Sequence, residues 1–108
     1  MLFRQLFDKI SSTYTYLISS GIGREALIID PVLENVNHYI QLLKELDLKL
    51  VKVIDTHIHA DHISGMAELS NKTNCATVMG DKTPIDIVSM KVRDNEFINI
   101  DGLKLKAL

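Results

Sequence analysis

An α/β sandwich, a mixed sheet with flanking helices, is the fold class this sequence predicts, and three observations predict it. Short segments rich in β-branched and aromatic residues alternate with segments whose apolar residues recur at helical spacing. Compact turn signals, such as Ser19-Ser20-Gly21-Ile22-Gly23 and Asp101-Gly102, separate them. The order along the chain reads β-β-β-α-β-α-β, then an ambiguous helical stretch, then β-β. With 108 residues the chain is expected to form a single domain over 1–108 that can bury a modest core.

Leu2 to Phe7 and Tyr14 to Ile18 carry strand-type residues and are joined around Ser11 and Ser12. Tyr14 and Tyr16 alternate with Thr13 and Thr15, as strand residues facing core and solvent do. A turn follows, and Ala26 to Ile29 is a third strand. Gly21 and Gly23 do not make a dinucleotide loop. That loop needs a third glycine opening a helix, whereas here a strand follows, so the pair marks a hairpin. Asp30-Pro31 reads as a helix start, with Asp30 as N-cap and Pro31 in the first helical position. Val32, Val36, Tyr39, Ile40, Leu43 and Leu46 form one apolar face of that helix. His38 falls off this face, beside Glu34, Gln41 and Glu45, and reads as an exposed histidine.

Asp47 reads as a turn residue in left-handed geometry, which aspartate tolerates better than most residues. Leu50 to Ile54 is the next strand, and Ile63 to about Ser70 a second helix, with Asp61 near its N-terminus where negative charge is favoured. Cys75 to Met79 is a strand. Thr83 to Val92 is ambiguous, and Pro84 could open a short helix there. Phe97 to Ile100 and Leu103 to Ala107 flank Asp101-Gly102, a two-residue hairpin signal. Met66, Met79 and Met90 share no register and read as gap-fillers.

Composition excludes several function classes. Twelve basic against 14 acidic residues give a net charge of −2, so there is no electrostatic case for nucleic acid or an anionic membrane as partner. The single cysteine, Cys75, excludes an internal disulfide, fits a reducing compartment, and reads as a buried small hydrophobe. No run approaches the 18 or so apolar residues of a membrane span. The amino terminus, Met1 to Asp8, is too short and mixed for a signal peptide, and the expected location is cytoplasmic.

Residues 56 to 62 read Thr-His-Ile-His-Ala-Asp-His and hold three of the four histidines. No packing argument asks for that cluster. Imidazole and carboxylate suit zinc, iron and manganese, so the stretch reads as half of a metal site. A strand entering from Val51 to Ile54 would put His57 and His59 on one side, since side chains alternate. Asp61 and His62 follow where the chain turns into a helix and can reach round from another direction. Such a cluster could serve one ion or two adjacent ions.

His57-Ile58-His59-Ala60-Asp61-His62 matches the H-x-H-x-D-H signature of the metallo-β-lactamase superfamily at all four fixed positions, with a strand before it, a helix after it and Gly65 beyond. The chain is therefore identified as resembling that superfamily. The implied architecture is the amino-terminal half of a metallo-β-lactamase-type αββα sandwich. Phe3-Arg4-Gln5-Leu6-Phe7-Asp8, Ser11-Ser12-Thr13-Tyr14-Thr15-Tyr16-Leu17 and Ile29-Asp30-Pro31-Val32-Leu33-Glu34 resemble the persulfide dioxygenase branch, the ethylmalonic-encephalopathy-protein-like sulfur dioxygenases. Thr56 and Ile63, which flank the signature, do so as well. The similarity covers nearly the whole chain and is weakest between about Lys82 and Glu96.

This resemblance implies a non-haem Fe(II) enzyme, with one iron per site, that oxidises glutathione persulfide with dioxygen to sulfite and glutathione. Two histidines and an aspartate hold the iron in that branch. By position His57 is the implied iron ligand, with His59, Asp61 and His62 around it orienting water or neighbouring ligands. Asp30 ends a strand near the same edge and could help orient the site. The alternative is a hydroxyacylglutathione (thioester) hydrolase of the glyoxalase II type. There His57 and His59 would hold one Zn(II), Asp61 and His62 the other ion of a binuclear Zn or Zn/Fe centre, and Asp61 would take a catalytic part.

The sequence departs from the family pattern by omission. Members carry a further metal-binding histidine and aspartate and a second α/β half, yet no histidine follows His62 here. Asp81, Asp86, Asp94 and Asp101 are available carboxylates that read as loop, cap and turn residues. A third expectation is thus a catalytically silent, truncated fragment, with self-association or a complementary half-domain as partner. Unpaired strand edges and apolar faces would then make the 108-residue chain self-associate or stay poorly soluble. Sedimentation would show this as oligomers, whereas a monodisperse, cooperatively unfolding monomer would contradict it.

Overall fold

A computed structural model describes residues 2–10, 13–54, 60–80, 90–92, 97–100 and 103–106. The elements are β1 (Leu2–Asp8), β2 (Thr13–Ser19), β3 (Glu25–Ile29), α1 (Val36–Glu45), β4 (Lys49–Ile54), α2 (Ala60–Thr73), β5 (Ala76–Gly80), β6 (Met90–Val92), β7 (Phe97–Ile100) and β8 (Leu103–Lys106). Six strands form one sheet in the order β1-β2-β3-β4-β5-β6, and β7 pairs with β8 in a second. β1, β2 and β3 are joined antiparallel, while β3 through β6 run parallel. This is the mixed sheet with flanking helices that the sequence predicts.

The placement of the helices follows from connection handedness. Parallel β-α-β crossovers are right-handed in nearly all proteins, and β3, β4 and β5 are laid down in one direction across the sheet. Both helices must then fall on one face, and they do. Leu17, Ala26, Ile28, Leu50 and Val53 of the sheet pack with Val36, Tyr39 and Leu43 of α1 and Met66 and Leu69 of α2. On the opposite face Ile18, Leu27, Ile54 and Val78 pack with Ile100 of β7. The layers are therefore helices, six-stranded sheet, two-stranded sheet.

A register shift sets the phase of β4. Ala26 pairs with Leu50 but Leu27 pairs with Lys52, so Val51 is an extra residue with no partner of its own. Leu50 and Val53 thus share the helix face although three residues separate them, and Ile54 turns to the other face. The last residues of β4 are re-aimed by this shift before the chain leaves the sheet.

Several sequence expectations require correction. Asp30 does not cap a helix. It adopts φ 56°, its N–H donates to the Ile54 carbonyl at 2.7 Å, and its own carbonyl accepts from Thr15 Oγ1 at 2.7 Å. An N-cap needs extended backbone, so this left-handed residue cannot serve. The chain instead passes through a 3-10 turn at Leu33–Asn35, and α1 opens at Val36. Of the alternating β2 residues it is Thr15 that is buried, while Tyr14 is half exposed. Met90–Val92 is a strand pairing parallel with β5, which the ambiguous stretch concealed. α2 begins at Ala60, three residues earlier than expected, and β5 at Ala76. The joint at Ser11 and Ser12, the helix at Pro84, the Asp101-Gly102 turn and Ala107 lie outside the described residues.

Helix ends behave as their residues suggest. Asp47 sits at φ 53°, and Leu48 N–H donates to the Leu43 carbonyl at 2.8 Å, closing α1 with an aspartate where glycine is commonest. Asn74 closes α2 in the same way at φ 60°, with its N–H on the Ser70 carbonyl at 2.8 Å. Leu27 has no exposed surface and contacts the two-stranded layer side of the core. Leu27→Ala should therefore cost about 2–5 kcal/mol in urea unfolding. A loss under about 1 kcal/mol would mean that this second face is not packed.

Candidate metal centre

The carboxyl edge of the parallel strands is where open α/β sheets place their ligands, and the chain leaves that edge at Ile54, just before the clustered residues in sequence. Ile29 of β3 pairs with Ile54 of β4, and Asp30 and the 55–59 connection continue from these two neighbours. His57 and His59 fall within 55–59, outside the described residues. Asp61 and His62 are the second and third residues of α2, where the backbone is placed and the side chains are not described. Asp81, Asp86, Asp94 and Asp101 are also outside the described set. Among the described residues no three His, Cys, Asp or Glu side chains gather into a metal-binding group.

The structure does show how the described backbone next to the cluster in sequence is held. The Asp30–Ile54 hydrogen bond fastens the ends of β3 and β4 together. Behind it lies a buried chain of hydrogen bonds whose proton order is fully determined. Val32 N–H donates to Tyr39 Oη at 3.0 Å. Tyr39 then donates across 3.2 Å to Thr15 Oγ1, because the Thr15 proton is engaged on the Asp30 carbonyl at 2.7 Å. Each hydroxyl accepts once and donates once, so the turn from Asp30 to Val32 closes on itself through two side chains. Both are almost wholly buried, at 1% exposure for Thr15 and 2% for Tyr39. In that low-dielectric setting a satisfied chain is rigid and a broken one is costly.

The same turn receives α2. A Cβ on Gly65 would lie 2.9 Å from the Pro31 carbonyl oxygen and 3.0 Å from the Leu33 nitrogen, both backbone atoms that cannot swing aside. Glycine is thus required for α2 to rest on residues 31–33, and that contact bears on the second turn of α2. The peptide dipoles leave partial positive charge at the start of α2, where negative charge is favoured. Two imidazoles, a carboxylate and a third imidazole within six residues make a donor set that fits a borderline divalent ion such as Fe(II) or Zn(II).

Two other candidates separate from this edge. Cys75 precedes β5 at the far end of α2, about 20 Å of helix from Ala60. Burial raises its pKa, outweighing the Thr73 hydroxyl and a backbone hydrogen bond, and this favours the neutral thiol. His38 is exposed on α1 as expected, and lines an open cleft with Gln5, Asp8, Asn35 and Tyr39. Sequence reasoning missed Thr15 and Tyr39 as supports of the site. Their types signal strand and core, and only the fold brings the two hydroxyls together.

Comparison with known proteins agrees with the mixed-sheet fold. A family model described as the metallo-beta-lactamase superfamily matches residues 9–84. The mitochondrial persulfide dioxygenase ETHE1 of Mus musculus is 52% identical over 69 residues, 64% of this chain and 27% of the mouse protein. A hydroxyacylglutathione hydrolase of Prochlorococcus marinus is 35% identical over 88 residues, 79% of this chain and 34% of the hydrolase. The crystal structure of ETHE1 from Myxococcus xanthus superposes with a TM-score of 0.89 and 43% identity, covering 98% of this chain and 47% of that one. The chain thus spans less than half the length of these relatives, and corresponds to the amino-terminal half of their fold.

Gly65→Ala should push α2 off the Pro31–Leu33 backbone and destabilise the chain by about 1–3 kcal/mol in chemical unfolding. Ala67→Gly, a change in the same helix, should cost about 1 kcal/mol through propensity alone. Equal stability of Gly65→Ala and the unmutated chain would show that the close contact is absent.

Proposed function

The chain belongs to the metallo-β-lactamase superfamily, and from that premise we propose that it carries part of the metal centre of a glutathione persulfide dioxygenase. The observation that carries the reading is the 52% identity to persulfide dioxygenase ETHE1, against 35% to the hydroxyacylglutathione hydrolase. Since the chain covers 27% of the mouse relative, the activity belongs to the proposal and not to the comparison.

In this reading His57 is an iron ligand through one imidazole nitrogen. Fe(II), when bound, supplies the redox chemistry by which persulfide sulfur and dioxygen give sulfite and glutathione. His59, Asp61 and His62 orient water and the neighbouring ligands through hydrogen bonds of their second nitrogens and carboxylate oxygens. Asp61 also keeps negative charge at the start of α2, which lowers the cost of bringing a cation to a helix N-terminus. The hydrogen-bonded Asp30–Val32 turn and the paired ends of β3 and β4 fix the described backbone that adjoins the cluster, which supports this reading.

A second reading has its own support, because the hydrolase similarity extends over 79% of the chain. His57 and His59 would then hold one Zn(II) and Asp61 and His62 the other, with a glutathione thioester as substrate.

In a version of the chain joined to the second half that its relatives carry, anaerobic loading followed by an oxygen-electrode assay separates the two. The dioxygenase reading expects one iron per chain and oxygen uptake on adding glutathione persulfide. Two metals per chain with cleavage of lactoylglutathione and no oxygen uptake would establish the hydrolase instead. His57→Ala should abolish metal uptake while the far-ultraviolet circular dichroism stays unchanged. Absence of metal uptake by the unmutated chain would mark it as catalytically silent.

A further inference from the structure

We infer that the hydroxyls of Thr15 and Tyr39 are positioning groups for the metal-binding cluster, acting through the Asp30–Val32 turn and the Gly65 contact on the second turn of α2. The inference rests on the metal-site reading of residues 57–62, and neither hydroxyl would touch the ion or substrate.

The mechanical path is short. Val32 N–H, Tyr39 Oη, Thr15 Oγ1 and the Asp30 carbonyl form one directed chain. It holds Asp30 at φ 56°, a conformation unfavourable for a residue with a side chain. The N–H of the same residue donates to the carbonyl of Ile54, after which the connection to the cluster begins. Pro31, Val32 and Leu33 then form the floor that only a glycine at 65 can approach. Helical hydrogen bonds run from the N–H of Gly65 to the carbonyl of Asp61, and from Met66 to His62. The turn therefore bears on the two peptide units that carry the helical half of the cluster. Removing either hydroxyl leaves a buried polar partner unsatisfied and frees the turn to relax toward commoner backbone angles.

Bulk cannot substitute for this function, which separates it from ordinary core packing. Tyr39→Phe and Thr15→Val keep the shape and remove the hydrogen bonds, whereas Thr15→Ser keeps the hydroxyl and loses a methyl group. Leu50→Ala serves as a control, since Leu50 is buried in the same cluster but lies toward the opposite end of β4 from Ile54.

The test is Co(II) binding by the full 108-residue chain, followed through the visible ligand-field spectrum, together with amide hydrogen exchange. Tyr39→Phe and Thr15→Val should weaken Co(II) binding by roughly tenfold or more, in the range seen when groups supporting metal ligands are removed. Exchange should accelerate at Asp30, Gly65 and Met66 relative to the Leu69–Thr73 end of α2. Thr15→Ser should restore affinity to near that of the unmutated chain, and Leu50→Ala should leave it unchanged while the chain is folded. Unaltered affinity and unaltered exchange at Gly65 and Met66 in the two hydroxyl deletions would overturn the inference, as would a Thr15→Ser variant as weak as Thr15→Val. Should the unmutated chain take up no Co(II), the metal-site reading itself fails. The positioning inference then falls with it, whereas Co(II) uptake that both hydroxyl deletions leave unaltered overturns the positioning inference alone.

Discussion

The hydrogen bond from the Asp30 N–H to the Ile54 carbonyl, 2.7 Å long, is the constraint on which the rest of this structure turns. It joins the carboxyl ends of two parallel strands at the point where each leaves the sheet. One strand continues into the turn that supports α2, and the other into the histidine cluster. Asp30 turns left-handed immediately after donating it, and Thr15 and Tyr39 close that turn from within the core. Sheet, helix face and site are therefore coupled through one residue in an unfavourable conformation. Strain of this kind persists where surrounding structure over-determines it, and often does so beside functional groups.

The two faces of the sheet do different work. The helix face is fully furnished with apolar contacts from α1 and α2. The opposite face is covered around Ile18, Leu27, Ile54 and Val78 by β7, yet it also bears the pairs Phe3–Tyr16 and Phe7–Tyr14, with ring centroids 5.6 and 4.8 Å apart. Phe3, Phe7 and Tyr14 remain about half exposed. Cross-strand aromatic pairs stabilise a hairpin, here β1 with β2, without needing a second layer over them.

Most of the fold was legible in the sequence because its signals are local. The β1–β2–β3 antiparallel run, the apolar face of α1, the left-handed Asp47 and the β7–β8 hairpin all follow from period and turn chemistry. Asp30-Pro31 misled for a physical reason, since the pattern of an N-cap is also the pattern of a tight turn held by distant partners. Met90–Val92 was hidden because a three-residue parallel strand carries too little period to recognise. The H-x-H-x-D-H spacing gave the family outright. The supports of the site were not legible. Thr15 lies 24 residues from Tyr39, and nothing in either position's residue type announces that their hydroxyls meet.

A divalent ion held, as proposed, by residues 57–62 would lie near the carboxyl ends of β3 and β4 and the start of α2. Paramagnetic NMR with bound Co(II) tests that placement directly, because relaxation falls steeply with distance from the ion. The account predicts hyperfine-shifted imidazole signals that vanish in His57→Ala, with the strongest broadening at the amides of Asp30, Ile54 and Gly65 and none at Asn74 or Cys75. Broadening centred on His38 or on the Cys75 end of α2, or none at all at Ile54, would contradict it.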